Sequence, residues 1–183
     1  IRVTRTKNGS KFVQTFRLTQ GGDRVEVANQ IDWQTPEHAL KVSFPLSEGN
    51  KLATYDLQVG TLQRPNNDEK KYEVPQHQWL DLTNEAGSYG VGILQDSKYG
   101  SDKPDDNTVR LTLIYTPGVR SGYSDQATQD FGRHDILYAN APHGGDWRKG
   151  GVPWNAKRLN QPLAAFAVPP HEGPRGKELS LVS

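Results

Sequence analysis

The residues best equipped for chemistry crowd into one connection. "LQDSKYGSDKPDDNTVRLTL", residues 94–113, carries Asp96, Lys98, Tyr99, Asp102, Lys103, Asp105, Asp106 and Asn107 between an apolar run and an alternating strand. A hairpin turn needs only a few residues of turn chemistry, so this length and charge ask for a reason. Carboxylates accept hydrogen bonds from sugar hydroxyls, lysine donates them, and tyrosine offers a flat face with a polar tip. Asp105, Asp106 and Asn107 could cap the returning strand or reach the same ligand. The plain alternative is a solvated loop whose Asp and Asn side chains satisfy turns and whose charges keep a sheet edge soluble. Glycoside hydrolysis would need two carboxyl groups roughly 5 Å apart for retention, or roughly 6.5–9.5 Å apart for inversion. Asp96 with Asp105 or Asp106 could meet that only if the connection folds back on itself.

Other candidate chemistry is thinner. His38, His77, His134, His143 and His171 are scattered, although "RHD" (133–135) and "PHGGD" (142–146) each set a histidine near an aspartate. Spacing alone rarely makes a metal site, and neighbours in a strand such as His134 and Asp135 point to opposite faces. Structural or loop histidines are the simpler reading, and neither a metal site nor a cofactor is expected in this chain. There is no Gly-x-Ser-x-Gly elbow and no cysteine nucleophile. The glycines of "HGGDW" and "GGVPW" do not form a strand-to-helix phosphate loop. Of the four tryptophans, Trp79 in a strand suits a core. Trp147 and Trp154, flanking a Gly-rich loop, suit an exposed or inter-domain surface. No residue is assigned a catalytic role.

These residues must be positioned by strands. Leu40, Val42, Phe44 and Leu46 share one parity, as do Val109, Leu111, Leu113 and Tyr115; Phe12, Phe16 and Leu18 alternate with Val13, Thr15 and Arg17. Val25, Val27 and Ile31 alternate too, with Asn29 intruding among them. "LATYDLQVG" and "HQWLDLT" are further strands. "YGVGILQ" and "HDILYANA" are apolar on both parities, which places them centrally or under a second layer. Turn clusters such as "TQGGD", "SEGN" and "RPNNDEKK" separate the runs. This is the pattern of an all-β, antiparallel β-sandwich. One short helix is expected near 153–160: Pro153 suits a first turn, Val152, Ala156 and Leu159 share a face, and Pro162 follows. The sandwich is expected over 1–168, with 169–183 a linker and the start of a following β element.

The 183 residues carry a formal charge of +1, which supplies no basic field for nucleic acid. No apolar run approaches membrane-spanning length, so neither nucleic acid nor a membrane is an expected partner. The absence of cysteine leaves the compartment undecided. The strand-like "IRVTRT" and "KELSLVS" at the two ends lead us to expect a piece of a larger protein.

Six blocks occur in order: "IDWQTPEHALKVSFPL", "ATYDLQVGTLQRPNN", "HQWLDLTNEAGSYGVGILQDSKYG", "DNTVRLTLIYTP", "FGRHDILYANAPHGGDW" and "LNQPL". From about Val13 to Leu163 the chain resembles the C-terminal β-sandwich region of glycoside hydrolase family thirty-eight α-mannosidases. That resemblance implies a supersandwich like that of galactose mutarotase. It also implies a parent enzyme that is a retaining exo-α-mannosidase, with zinc and the catalytic aspartate in a separate catalytic domain. The chain alone would then be non-catalytic, with an α-mannoside glycan and the remaining domains of the enzyme as its partners. The resemblance matches Asp96, Lys98, Tyr99, Asp106 and Asn107 to a hairpin that reaches the substrate cleft. "DFGRHD" departs from the more usual D-Q-G-R-H-E. The alternative is a free-standing carbohydrate-binding or structural sandwich.

Overall fold

The computed structural model describes residues 1–119, 128–170 and 172–173. Among them twelve strands and one helix form three layers. The broad middle layer joins β1 (Arg2–Lys7), β2 (Ser10–Leu18), β3 (Val25–Trp33), β12 (Gly132–Gly144), β9 (Tyr89–Gln95), β8 (Trp79–Thr83), β5 (Leu52–Leu57) and β6 (Gly60–Pro65), in that spatial order. A narrower sheet joins β4 (His38–Pro45), β11 (Thr108–Thr116), β10 (Gly100–Asp102) and β7 (Val74–Pro75). Every pairing between these strands is antiparallel. The helix α1 (Val152–Asn160) forms the third layer. The fold is therefore the all-β sandwich the alternation predicts, and none of its helices is long and apolar enough to cross a membrane among the described residues.

Period two decides which side chains meet between the sheets. Val27, Ile31, Leu80, Leu82, Ile93 and Ile136 from the broad sheet pack against Phe44, Val109, Leu111 and Leu113 from the narrow one. The Phe44 ring meets Tyr138 edge-on, with centroids 5.6 Å apart. Each such fully buried aliphatic or aromatic side chain contributes about 1.5–3 kcal/mol. The opposite parity of β9 and β12, with Trp79 of β8, faces the helix: Trp79, Leu94, Ala139 and Ala141 pack beneath Val152, Ala156 and Leu159. That second cluster is why the two strands are apolar on both sides. Gly92 makes the approach possible, because a Cβ there would lie 2.8 Å from Val152 Cγ1.

Three expectations change. The register of β11 against β4 shifts between Thr112 and Ile114, so Ile114 is buried beside Leu113 and Tyr115 turns out to 60% exposure. A bulge of this kind inserts one residue and reverses the parity beyond it. Asn29 does not break β3: its amide donates to the carbonyls of Val27 and Ile136, and its Oδ1 accepts from Gln14 at 2.9 Å. Phe16 and Leu18 remain in contact with water, because the broad sheet extends past its narrower cover. At the other end of the chain, 162–170 is exposed and without regular structure; the "LSLVS" segment lies outside the described residues. The edge strand β1 is exposed along its length apart from half-buried Val3.

Candidate functional site

The 94–113 connection is not one long hairpin. After Gln95 the chain leaves the broad sheet, crosses to the narrow one through residues 96–99, and only then forms a short hairpin, β10 to β11. The crossing is held from below by two buried glutamines. Gln95 donates from Nε2 to the His77 carbonyl and accepts from the Lys98 amide on Oε1. The Gln76 amide donates to the Tyr99 carbonyl at 2.8 Å, and its side chain reaches the Lys98 carbonyl at 3.5 Å. Backbone positions are thereby fixed, with Lys98 half-buried and Tyr99 exposed. Tyr99 is 54% exposed and stacks on the His77 ring, with centroids 6.3 Å apart and planes 10° apart. His77 Nδ1 lies 3.4 Å from Asp56.

The five predicted residues do not converge on one cavity. Asp96 accepts from the Leu137 amide and from Ser97, and it lines a cleft of about 360 Å³ with Arg2, Arg17, Gln30 and Asp135 on the broad sheet. Asp106 sits at the β10–β11 turn, where Asn66 donates to its Oδ1 at 2.6 Å and its carbonyl accepts from the Asn50 amide. Asn107 follows, its amide donating to Asp105 and its carbonyl accepting from the Leu46 amide. Asn66 and Asn67 border a separate, largely apolar cleft of about 390 Å³ with Tyr55, Leu62 and Arg64. Nothing in this arrangement pairs Asp96 with Asp105 or Asp106 for acid–base work.

Asn66 and Asn67 also join a cluster of buried charges beside that second cleft. Asp102 and Lys103, read from the sequence as loop charges, are each only 1% exposed. Asp102 takes both Nε and Nη2 of Arg110, Asn67 Nδ2 at 3.0 Å and Lys41 Nζ at 3.3 Å. Burial disfavours its carboxylate, but the hydrogen bonds from Arg110 and Asn67 and the Lys41 charge outweigh that and hold its pKa below the ordinary value. Lys103 Nζ donates to Asn66 Oδ1 at 2.6 Å and to the Asp105 carbonyl at 2.5 Å. Burial, only partly opposed by Asp106 and Asp105, pushes its pKa down. The hint was available in "DK" followed by Arg110 on the returning strand, yet Asn66 and Asn67 come from a distant turn.

The histidine motifs resolve differently from their spacing. His134 bonds the Asp130 carbonyl, and Asp135 pairs with Arg133 instead. His143 pairs not with Asp146 but with Asp81 of β8, Nε2 to Oδ2 at 2.7 Å, and Thr83 Oγ1 donates to the other oxygen of Asp81 at 2.5 Å. Gly90 leaves room for the ring, since a Cβ there would lie 2.7 Å from His143 Cε1. Burial disfavours the imidazolium, and the Asp81 hydrogen bond and charge overcome it, raising the pKa of His143. No three His, Asp or Glu side chains converge as a metal site among the described residues. Trp79 is buried with its ring 5.1 Å from Trp147, Trp33 is buried and bonded to Thr116, and Trp154 is exposed.

Comparison with known proteins places this architecture. Residues 1–119 match the family described as the glycosyl hydrolases family 38 C-terminal domain. Alpha-mannosidase 2C1 of Homo sapiens is 34% identical over 87% of the chain, and an alpha-mannosidase of Saccharomyces cerevisiae is 35% identical over 67% of it. The chain spans 15% and 11% of the lengths of those two relatives. A crystal structure of a glycosyl hydrolase family 38 protein from Enterococcus faecalis superposes with a TM-score of 0.79 over 90% of this chain and 20% of its own, at 20% identity.

Proposed function

The chain belongs to the C-terminal domain family of the family 38 glycosyl hydrolases, and from that premise we propose that it is the β-sandwich portion of a larger retaining exo-α-mannosidase. It hydrolyses nothing alone; the 96–107 segment borders the substrate cleft of the whole enzyme and orients an α-mannoside glycan. One observation carries this reading: Gln95 and Gln76 fix the backbone of the crossing while the Lys98 amine has no partner among the described residues and Tyr99 stays exposed. A donor and a flat ring on a rigid support are what orientation of a sugar requires. Asp96 adds an acceptor beside them, and Asp106 and Asn107 shape the far end of the segment.

Zinc belongs in this reading to the catalytic domain. The described residues offer it no ligand set, so no step here runs through it. Residues 1–168 act as the sandwich unit and 169–183 as the linker toward the next element.

The test is Lys98→Ala in the full-length enzyme. The expected result is a raised KM or a lowered kcat for an α-mannoside with unchanged thermal stability. Kinetics indistinguishable from those of the unmodified enzyme would remove the segment from the cleft.

A further inference from the structure

We propose that the cleft between the 144–151 loop and strands β5 and β8 binds a neutral pyranose unit, at a place separate from the 96–99 crossing. Its volume is about 210 Å³. A cavity of roughly 150 Å³ already admits benzene, so one six-membered sugar ring fits.

The lining has the chemistry for such a ligand. Asp81 borders the cleft although it is only 1% exposed, and its two oxygens are oriented by His143 and Thr83. A carboxylate has about four lone-pair sites, so each oxygen keeps capacity for a hydroxyl. From the loop come Asp146 and Arg148, an acceptor and a donor 3.7 Å apart, spaced to share two neighbouring hydroxyls. Trp147 supplies the wall. It leans on the buried Trp79, which fixes its ring. Arg148 lies over that ring at 3.9 Å, but its side chain is 66% exposed and can turn toward a ligand.

Charge selects the ligand class. Both carboxylates already have partners, Arg148 for Asp146 and His143 for Asp81, and the rest of the polar lining, Asn50, Thr54, Gln63, Thr83 and Asn84, is uncharged, which suits a neutral polyhydroxyl ligand. The loop itself is well held: the Gly145 amide donates to the Ser88 carbonyl at 2.8 Å, and the Lys149 amide to Asp146 Oδ1 at 3.0 Å. None of these residues belongs to the 96–107 segment, and the assignment does not depend on that segment's role.

The full 183-residue chain, labelled with nitrogen-15, would be titrated with methyl α-mannopyranoside while the indole Nε1–H signals are followed. The Trp147 signal should shift and saturate. Asp146→Asn and Arg148→Ala change exposed loop positions and leave the core intact; at least one should weaken binding by about ten-fold, the loss expected for a charged hydrogen bond. Lys98→Ala should leave the titration unchanged. A stationary Trp147 signal, or a titration unaltered in both loop variants, overturns the proposal. So does a shift that disappears in Lys98→Ala, which would put binding at the crossing.

Discussion

Asp81 and Asp102 are equally buried, at 1% exposure, and lie on different sides of the molecule's core. Asp102 is surrounded by Lys41, by Asn67, which does not titrate, and by Arg110, whose guanidinium keeps its charge across neutral pH. Asp81 depends on His143 and Thr83, and the imidazole changes charge within that range. Equal burial therefore gives one cluster that behaves as fixed masonry near neutrality and another whose strength follows proton concentration. The partner, and not the depth, sets the behaviour.

The difference can be broken first at its stronger member. Asp102→Ala leaves Arg110 and Lys41 facing an emptied buried position, and should cost about 3–5 kcal/mol in chemical denaturation. A loss below about 1 kcal/mol would mean that water already reaches the cluster. Asp81→Asn keeps the shape but removes the charge that supports His143. A smaller loss, about 1–3 kcal/mol, is expected from urea titration near pH 6.

The sharper comparison is with pH. The folded pKa of His143 lies above its ordinary value, so its contribution is complete below about pH 6.5 and is lost as pH rises through the folded pKa. Asp102 has the opposite sign: its folded pKa is lowered, so its contribution is present above about pH 3.9 and is lost as pH falls through the folded value. The stability gap between the unmodified chain and His143→Gln should accordingly narrow on going from pH 6 to pH 9. A gap constant across that range would show that the imidazole is not gaining a proton on folding. The smallest effect belongs to Lys98→Ala, outside both clusters: stability within about 0.5 kcal/mol of the unmodified chain.

These clusters also mark where the sequence stopped being readable. Alternation found the strands, and two-sided apolarity in "YGVGILQ" and "HDILYANA" placed β9 and β12 centrally or under a second layer; both descriptions apply. Pro153 and Pro162 framed the helix because proline acts locally, through its own fixed φ and missing donor. The bulge at Thr112–Ile114 had no such local marker; it depends on how β4 meets β11. Asp102 and Lys103 looked solvated because their neighbours in sequence are polar, while the groups that bury them, Lys41 and Asn66 among them, arrive from elsewhere in the chain. For the site, sequence reading singled out the 94–113 segment as a hairpin, whereas its first part crosses between sheets with Lys98 half-buried and Tyr99 exposed. It did not foresee that Asp96 lines a cleft on the broad sheet while Asp106 bonds Asn66 at the β10–β11 turn, since that follows from the change of sheet at residues 96–99.

The outermost strand of the broad sheet has a consequence for self-assembly. Among the described residues, β1 presents Arg2, Arg5 and Lys7 along an edge whose backbone is paired only on its β2 side. A second copy approaching that edge in antiparallel fashion would set two strands that each carry three cations side by side, and repulsion would oppose fibre-like extension of the sheet. Raising the ionic strength removes part of that protection, because exposed charges are screened over about 10 Å at 0.1 M salt and over shorter distances beyond it. Any strand that does add there profits from carrying carboxylates, so this edge discriminates among partners by charge before any side chain fits.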